Sequence, residues 1–134
     1  MTIVVGYAPN PLGRAVIDAA ATEAKLRSTK LVVVNSATGA AYADRGLATD
    51  EDLKQVGASV EALGVEVEVR QAGDSISVAD TLLEEVEATQ ATLLVIGLRH
   101  RSRAGKFLLG STAQTLLLRA PCHVLAVKAI DDTP

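Results

Sequence analysis

The segment Gly97-Leu98-Arg99-His100-Arg101-Ser102-Arg103-Ala104-Gly105-Lys106-Phe107-Leu108-Leu109-Gly110-Ser111-Thr112 holds the residue types best suited to binding chemistry in this chain. Gly97 closes an apolar run, where a missing side chain lets a ligand approach the backbone. Gly110-Ser111-Thr112 reads as a helix start, offering unpaired N–H groups, two hydroxyls and the positive end of a helix dipole. That combination suits a phosphate. Arg99, Arg101, Arg103 and Lys106 add positive charge, and His100 a further donor, within eight positions. The competing structural account makes Gly97 a turn, Ser111 a cap and the arginines a solvated loop.

The distribution of charge favours the binding account. The chain carries 13 basic and 16 acidic residues, and the acids stop at Glu87 and resume only at Asp131. Without the three arginines and Lys106, nine bases face 16 acids, leaving the rest of the molecule at −7. A basic segment on an acidic protein of this kind fits a compact anion. It does not fit broad nucleic-acid binding, which uses a wide basic face with stacking aromatics; the only aromatics are Tyr7, Tyr42 and Phe107.

Catalytic and metal patterns are weaker. Cys122 and His123 are neighbours on a strand, so their side chains point to opposite faces and cannot pair as nucleophile and base. Cys122 therefore reads as a buried structural cysteine, and a single cysteine excludes disulfide scaffolds and cysteine zinc cages. His100 has no carboxylate in its own segment to orient it. Asp50, Glu51 and Asp52, with Asp44 nearby, sit at a helix start, where acids complement the dipole rather than coordinate a metal. Tyr7-Ala8-Pro9 lacks the acids of a receiver domain and the Ser/Thr-Gly-rich loop of a flavodoxin, and no Gly-x4-Gly-Lys-Ser/Thr appears.

Five apolar runs and four helical patterns must position these residues. Thr2–Tyr7 is a β-branched strand ended by Ala8-Pro9-Asn10-Pro11. Leu12–Arg27 follows as a helix with Ala15, Val16, Ala19, Ala20, Ala24 and Leu26 on its apolar side and Lys25 and Arg27 at its C-terminal end. Lys30–Ser36 is a strand buried on both faces. Thr49 with Asp52 starts a second helix whose stripe is Leu53, Val56, Val60 and Leu63, and Gly64 stops it. Val65–Val69 alternates strictly and predicts an edge strand with one wet face. Ser75 or Ser77 opens a third helix carrying Val78, Leu82, Leu83 and Val86. Ala91–Gly97 is another buried strand, Gly110–Leu118 a fourth helix, and His123–Lys128 the last strand after Pro121.

Such β-α alternation predicts one α/β domain over residues 1–130, an open five-stranded parallel sheet with helices on both faces, and a short tail over 131–134. With strand order 3-2-1-4-5, the ligand crevice lies between strands one and four, beside Tyr7–Pro11 and Gly97–Ser111. The composition, 49% hydrophobic and 22% charged in 134 residues, fits a single soluble globule. Met1–Tyr7 lacks the basic start and long apolar middle of a secretory signal, and no apolar run nears the ~18 residues of a membrane span, so a cytoplasmic location is expected.

Gly97-x2-His100-x9-Gly110-Ser111 resembles the Gly-x2-Gly-x9-Gly-Ser/Thr phosphate motif of the universal stress protein family. Leu108-Leu109-Gly110-Ser111-Thr112 followed by Ala120-Pro121-Cys122-His123-Val124-Leu125-Ala126-Val127 is similar to that family's closing segment. Ile3-Val4-Val5-Gly6, Gly73-Asp74 and Ala91–Gly97 also fall where the family has equivalents, so the likeness runs from Ile3 to Lys128.

The resemblance implies an adenine nucleotide alpha hydrolase-like sheet and a small stress-response regulator that binds an adenine nucleotide, ATP or AMP, with Mg²⁺ accompanying a triphosphate. Gly97, Gly110, Ser111 and Thr112 would hold phosphate. Arg99, His100, Arg101 and Lys106 would tune the charge, and Tyr7, Ala8 and Asn35 or Ser36 would line the base pocket. It also implies a homodimer paired through Val124, Leu125, Ala126 and Val127, a run with no proline or inward charge to blunt its edge.

Two positions depart from the family pattern. ATP-binding members carry an aspartate where this chain has Ala8; losing such a partner costs about 1.5–3 kcal/mol, roughly ten- to a hundredfold in affinity. His100 replaces the second glycine. These departures support a second expectation, a family member that has given up ATP and acts as a dimeric scaffold through protein partners. Weak ATP hydrolysis or self-phosphorylation on Ser111 or Thr112 would be the limit of any catalysis, with no base in evidence.

Overall fold

A computed structural model describes residues 1–36, 48–72, 77–98 and 109–128. The elements are β1 (Thr2–Tyr7), α1 (Pro11–Arg27), β2 (Lys30–Asn35), α2 (Asp50–Glu61), β3 (Val67–Gln71), α3 (Val78–Thr89), β4 (Leu93–Leu98), α4 (Ser111–Arg119) and β5 (His123–Lys128). The strands form one sheet in the order β3-β2-β1-β4-β5. Every neighbouring pair is parallel.

Alternate residues of the central strands feed two cores. Ile3, Val5, Leu31, Val33, Leu93 and Val95 meet Val16, Ile17, Ala20, Ala21 and Ala24 of α1 and Val60 of α2. Val4, Val32, Val34, Leu94 and Ile96 meet Leu82, Leu83 and Val86 of α3 and Leu116 of α4. Burial on both faces explains why these strands read as unbroken apolar runs.

Local chemistry sets the helix starts. Asn10 caps α1, its Oδ1 accepting from the Gly13 N–H at 2.7 Å, and Pro11 opens the first turn. Thr49 and Asp52 form a reciprocal capping box on α2, with Asp50 and Glu51 also in the first turn. Of the two serines proposed for α3, Ser77 is the cap, accepting from the Asp80 N–H.

Three expectations about burial and boundaries need correction. Leu26 is 75% exposed because it falls on the side of α1 opposite Val16, Ile17, Ala20, Ala21 and Ala24, and Leu63 is 48% exposed because α2 ends at Glu61, before it; Ile17 and Ala21 take the core positions of α1 instead. The third strand begins at Val67 and runs to Gln71, its register set by pairing Leu31 with Val67 and Asn35 with Gln71. Cys122 is only half-buried, at the rim of the second core.

The two sheet edges differ. On β3, Glu68 accepts from Lys30 Nζ at 2.8 Å and Arg70 Nε at 2.7 Å, and Arg70 also bonds Glu85 of α3. Charge of this kind blunts an edge. β5 offers Val124 and Ala126 to one core and Leu125 and Val127 to the other, with no acidic residue or proline in its span.

The hydrogen bonds from Arg70 and Lys30 lower the Glu68 carboxyl from 4.5 to about 2. A depressed carboxylate stabilises the fold above its unfolded pKa, and that contribution is lost as pH falls through the folded value. Thermal melts of wild type and Glu68→Gln should therefore converge as pH drops from 4.5 toward 2. A constant gap across that window would show that the pairs contribute nothing.

Candidate functional site

The sheet order reverses between β1 and β4, so the loops after these strands leave in opposite directions and open a crevice at their carboxyl ends. A cleft of about 490 Å³ occupies this position. That is within the roughly 300–1,000 Å³ of small-molecule sites. Its floor is Gly6, Ile96 and Gly97, with Val34 and Ser36 at the β2 end. Leu12, Gly13 and Val16 of α1, Val78 and Leu82 of α3, and Gly110–Ala113 with Leu116 at α4 form the walls. No acidic or basic side chain is among the described residues that line it.

Three glycines let the helices close on the cleft. A Cβ on Gly6 would lie 2.9 Å from Leu82 Cδ1, and one on Gly97 2.8 Å from Val16 Cγ2 and 3.0 Å from Leu12. Gly97 thus lines the cleft as expected for its position, yet its bare Cα also serves helix packing. At Gly13 a Cβ would fall 1.7 Å from the Ala8 carbonyl oxygen, so the first turn of α1 can sit against the Tyr7–Ala8 backbone only with glycine there. Sequence reading missed Gly13. Its signal was a glycine three residues after an Asn-Pro helix start, a poor helix residue with no turn to justify it.

The start of α4 faces this space. Gly110 is its N-cap without a side-chain hydrogen bond, and no acid occupies the first turn. The first intrahelical bond runs from the Gln114 N–H to the Gly110 carbonyl at 3.0 Å, leaving the preceding N–H groups without an intrahelical acceptor. No described atom lies within 4 Å of where a Gly110 Cβ would be. Positive potential and free donors are thereby turned toward the cleft, beside the Ser111 and Thr112 hydroxyls.

The base-pocket candidates separate on inspection. Tyr7, Ala8 and Ser36 line the cleft. Tyr7 also walls a smaller pocket with Arg14 and Asp52, and burial, then the Asp52 charge, raise its phenol pKa against the opposing pull of Arg14. Asn35 departs from expectation: fully buried, it stands behind the cleft wall. Its Nδ2 donates to the Tyr7 carbonyl at 2.9 Å, and its Oδ1 accepts from the Ala48 N–H at 3.0 Å and from Gln71 Nε2 at 2.9 Å. Arg99, His100, Arg101 and Lys106 lie outside the described residues.

Other candidate chemistry is sparse. Burial raises the Cys122 thiol pKa, opposed by a backbone hydrogen bond at Leu94. Among the described residues no three His, Cys, Asp or Glu side chains are placed to share a metal, and no helix is long and apolar enough to cross a membrane.

Comparison with known proteins agrees with this geometry. A universal stress protein from Mycolicibacterium smegmatis is 45% identical over 126 residues, 94% of this chain and 96% of its own. A universal stress protein structure from Archaeoglobus fulgidus superposes with a TM-score of 0.80 at 28% identity, covering 96% of this chain and 98% of the other. An A. fulgidus universal stress protein in complex with dAMP gives 0.71 at 26% identity, with the same 96% and 98% coverage. A universal stress protein in complex with cAMP gives 0.74 at 25% identity, with 96% of each chain covered. The sequence profile of the universal stress protein family matches residues 1–128, and the chain belongs to that family.

Proposed function

We propose that this protein is a cytoplasmic stress-response regulator that binds an adenine nucleotide in the β1/β4 crevice and works as a homodimer paired through β5. The observation that carries the reading is the uncapped α4 N-terminus opening on a cleft free of acidic side chains. Phosphate sits against the N–H groups of Gly110–Thr112, and the ring enters the apolar space between α1 and α3. Structural relatives in complex with dAMP and cAMP support a nucleoside monophosphate. ATP with Mg²⁺ is the larger alternative, with Arg99, Arg101 and Lys106 as the cations available to it and His100 as a further donor. The domain proper is residues 1–130.

Gly110→Asp tests the site without testing the fold. Aspartate is at least as good an N-cap as glycine, and among the described residues nothing beyond its chain neighbours comes within 4 Å of its Cβ, so the thermal midpoint should hold. Its charge opposes a phosphate, and calorimetric affinity for AMP should fall at least about tenfold. Undiminished affinity would put the phosphate elsewhere. Sedimentation equilibrium on the same two samples should return a dimer for both; a monomer for wild type would discard the β5 pairing.

Ala8 favours a second reading. It places a methyl at the cleft wall where a polar side chain could have read a base, which suits a scaffold that acts through protein partners. Absence of heat with millimolar AMP, cAMP and ATP would decide for it.

A further inference from the structure

Ser36 is 8% exposed, and its Oγ is buried with no hydrogen-bond partner among the described residues. Only Thr81 Oγ1 shares that condition among the described side chains, and Thr81 does not line the cleft, whereas Ser36 does. A hydroxyl carries one donor and two acceptor sites, and burying it unpaired is unfavourable. Among the described residues, that bonding capacity is left unused at the wall of the cleft. Such a group is accounted for if the ligand supplies the missing bond.

Placement within the fold says which part of a ligand that is. Ser36 directly follows β2, and α4 follows β4, two strands across the sheet. Two strand spacings are about 10 Å. A phosphate at the α4 N-terminus thus leaves the opposite end of the ligand facing Ser36. Val34, Val78 and Leu82 line the cleft on the β2 and α3 side, giving a flat ring an apolar bed. A ring lying there presents its edge, and the edge carries the hydrogen-bonding groups. With no charged side chain among the described lining residues, a neutral hydroxyl is the group available to meet it.

Resting on the nucleotide reading above, we infer that Ser36 is the specificity-determining residue for the base: its hydroxyl rotates into the cleft and exchanges a hydrogen bond with the edge of the ring.

Wild type and Ser36→Ala should be compared in three measurements: thermal melting without ligand, calorimetry with AMP, and NMR titration with ribose 5-phosphate, which has the phosphate but no base. The ligand-free variant should melt at the same temperature or a few degrees higher. Its AMP affinity should fall about tenfold, while ribose 5-phosphate affinity stays within about twofold. Equal AMP affinity in the two proteins would overturn the assignment. So would parallel weakening of both ligands, which would make Ser36 a general shaper of the cleft. A variant that melts several degrees lower would mean that the hydroxyl already has a partner in the empty fold, which also overturns it. If wild type binds no AMP at all, the nucleotide reading itself fails and carries this one with it.

Discussion

Gly13→Ala should destabilise the protein by roughly 3 kcal/mol or more, lowering its thermal midpoint by about 10 °C. Helix propensity alone points the other way, favouring alanine by up to about 1 kcal/mol at an interior helical position. Geometry decides against it. The added methyl would stand 1.7 Å from the Ala8 carbonyl oxygen and 2.9 Å from its carbon, and neither atom belongs to a side chain that can rotate away. Relief requires α1 to move off the Tyr7–Ala8 backbone, which would also break the Asn10 cap on the Gly13 N–H. Because Tyr7, Ala8 and Gly13 all line the cleft, nucleotide affinity should fall with stability. A melting curve within about 2 °C of wild type would show that the loop relaxes at little cost.

The second large effect is expected at Asn35. Among the described residues its side chain joins the end of β1 through the Tyr7 carbonyl, the approach to α2 through the Ala48 N–H, and β3 through Gln71. In Asn35→Ala the Ala48 N–H and the Tyr7 carbonyl lose these partners, although Gln71 keeps its bond to the Ala48 carbonyl at 2.8 Å. Unsatisfied buried groups cost about 1–3 kcal/mol each, so a loss near 3 kcal/mol is expected. Urea titration should show a lower midpoint with an unchanged slope. Hydrogen exchange adds a local reading: the Ala48 amide should lose protection in the variant, and retained protection would mean another acceptor takes over.

Much of the fold was legible in the sequence because its determinants are local. Thr49 with Asp52, and Ser77 before Asp80, announce helix starts within four residues. Continuous apolar runs such as Leu31-Val32-Val33-Val34 announce strands covered on both faces. The site was legible where it uses the same local grammar, as at Gly110-Ser111-Thr112. It was not legible where a residue's role depends on distant chain. Asn35 reads as a strand-end amide available to a ligand until Ala48 and Gln71 are brought against it, 13 and 36 residues later. Gly97 reads as an opening for ligand until Leu12 and Val16 arrive from α1. Leu26 stands two residues after Ala24, so helical spacing turns it away from the core face, and Leu63 keeps the spacing of Val56 and Val60 but lies past the last helical residue, Glu61. Ser36 looked interchangeable with Asn35 in the sequence; the structure separates them, one bonded behind the wall and the other unpaired upon it.

The unequal edges of the sheet bear on how far assembly can proceed. A chain with two adhesive edges can join head to tail without limit, each addition leaving a fresh edge for the next. Here the Glu68–Arg70–Lys30 charges occupy one edge, while β5 at the other has no acid or proline in its span. In the homodimer proposed above β5 would pair with β5, a self-complementary contact that uses both copies' β5 edges at once. Assembly by that route would end after a single event, leaving outward only edges that carry the charges of β3.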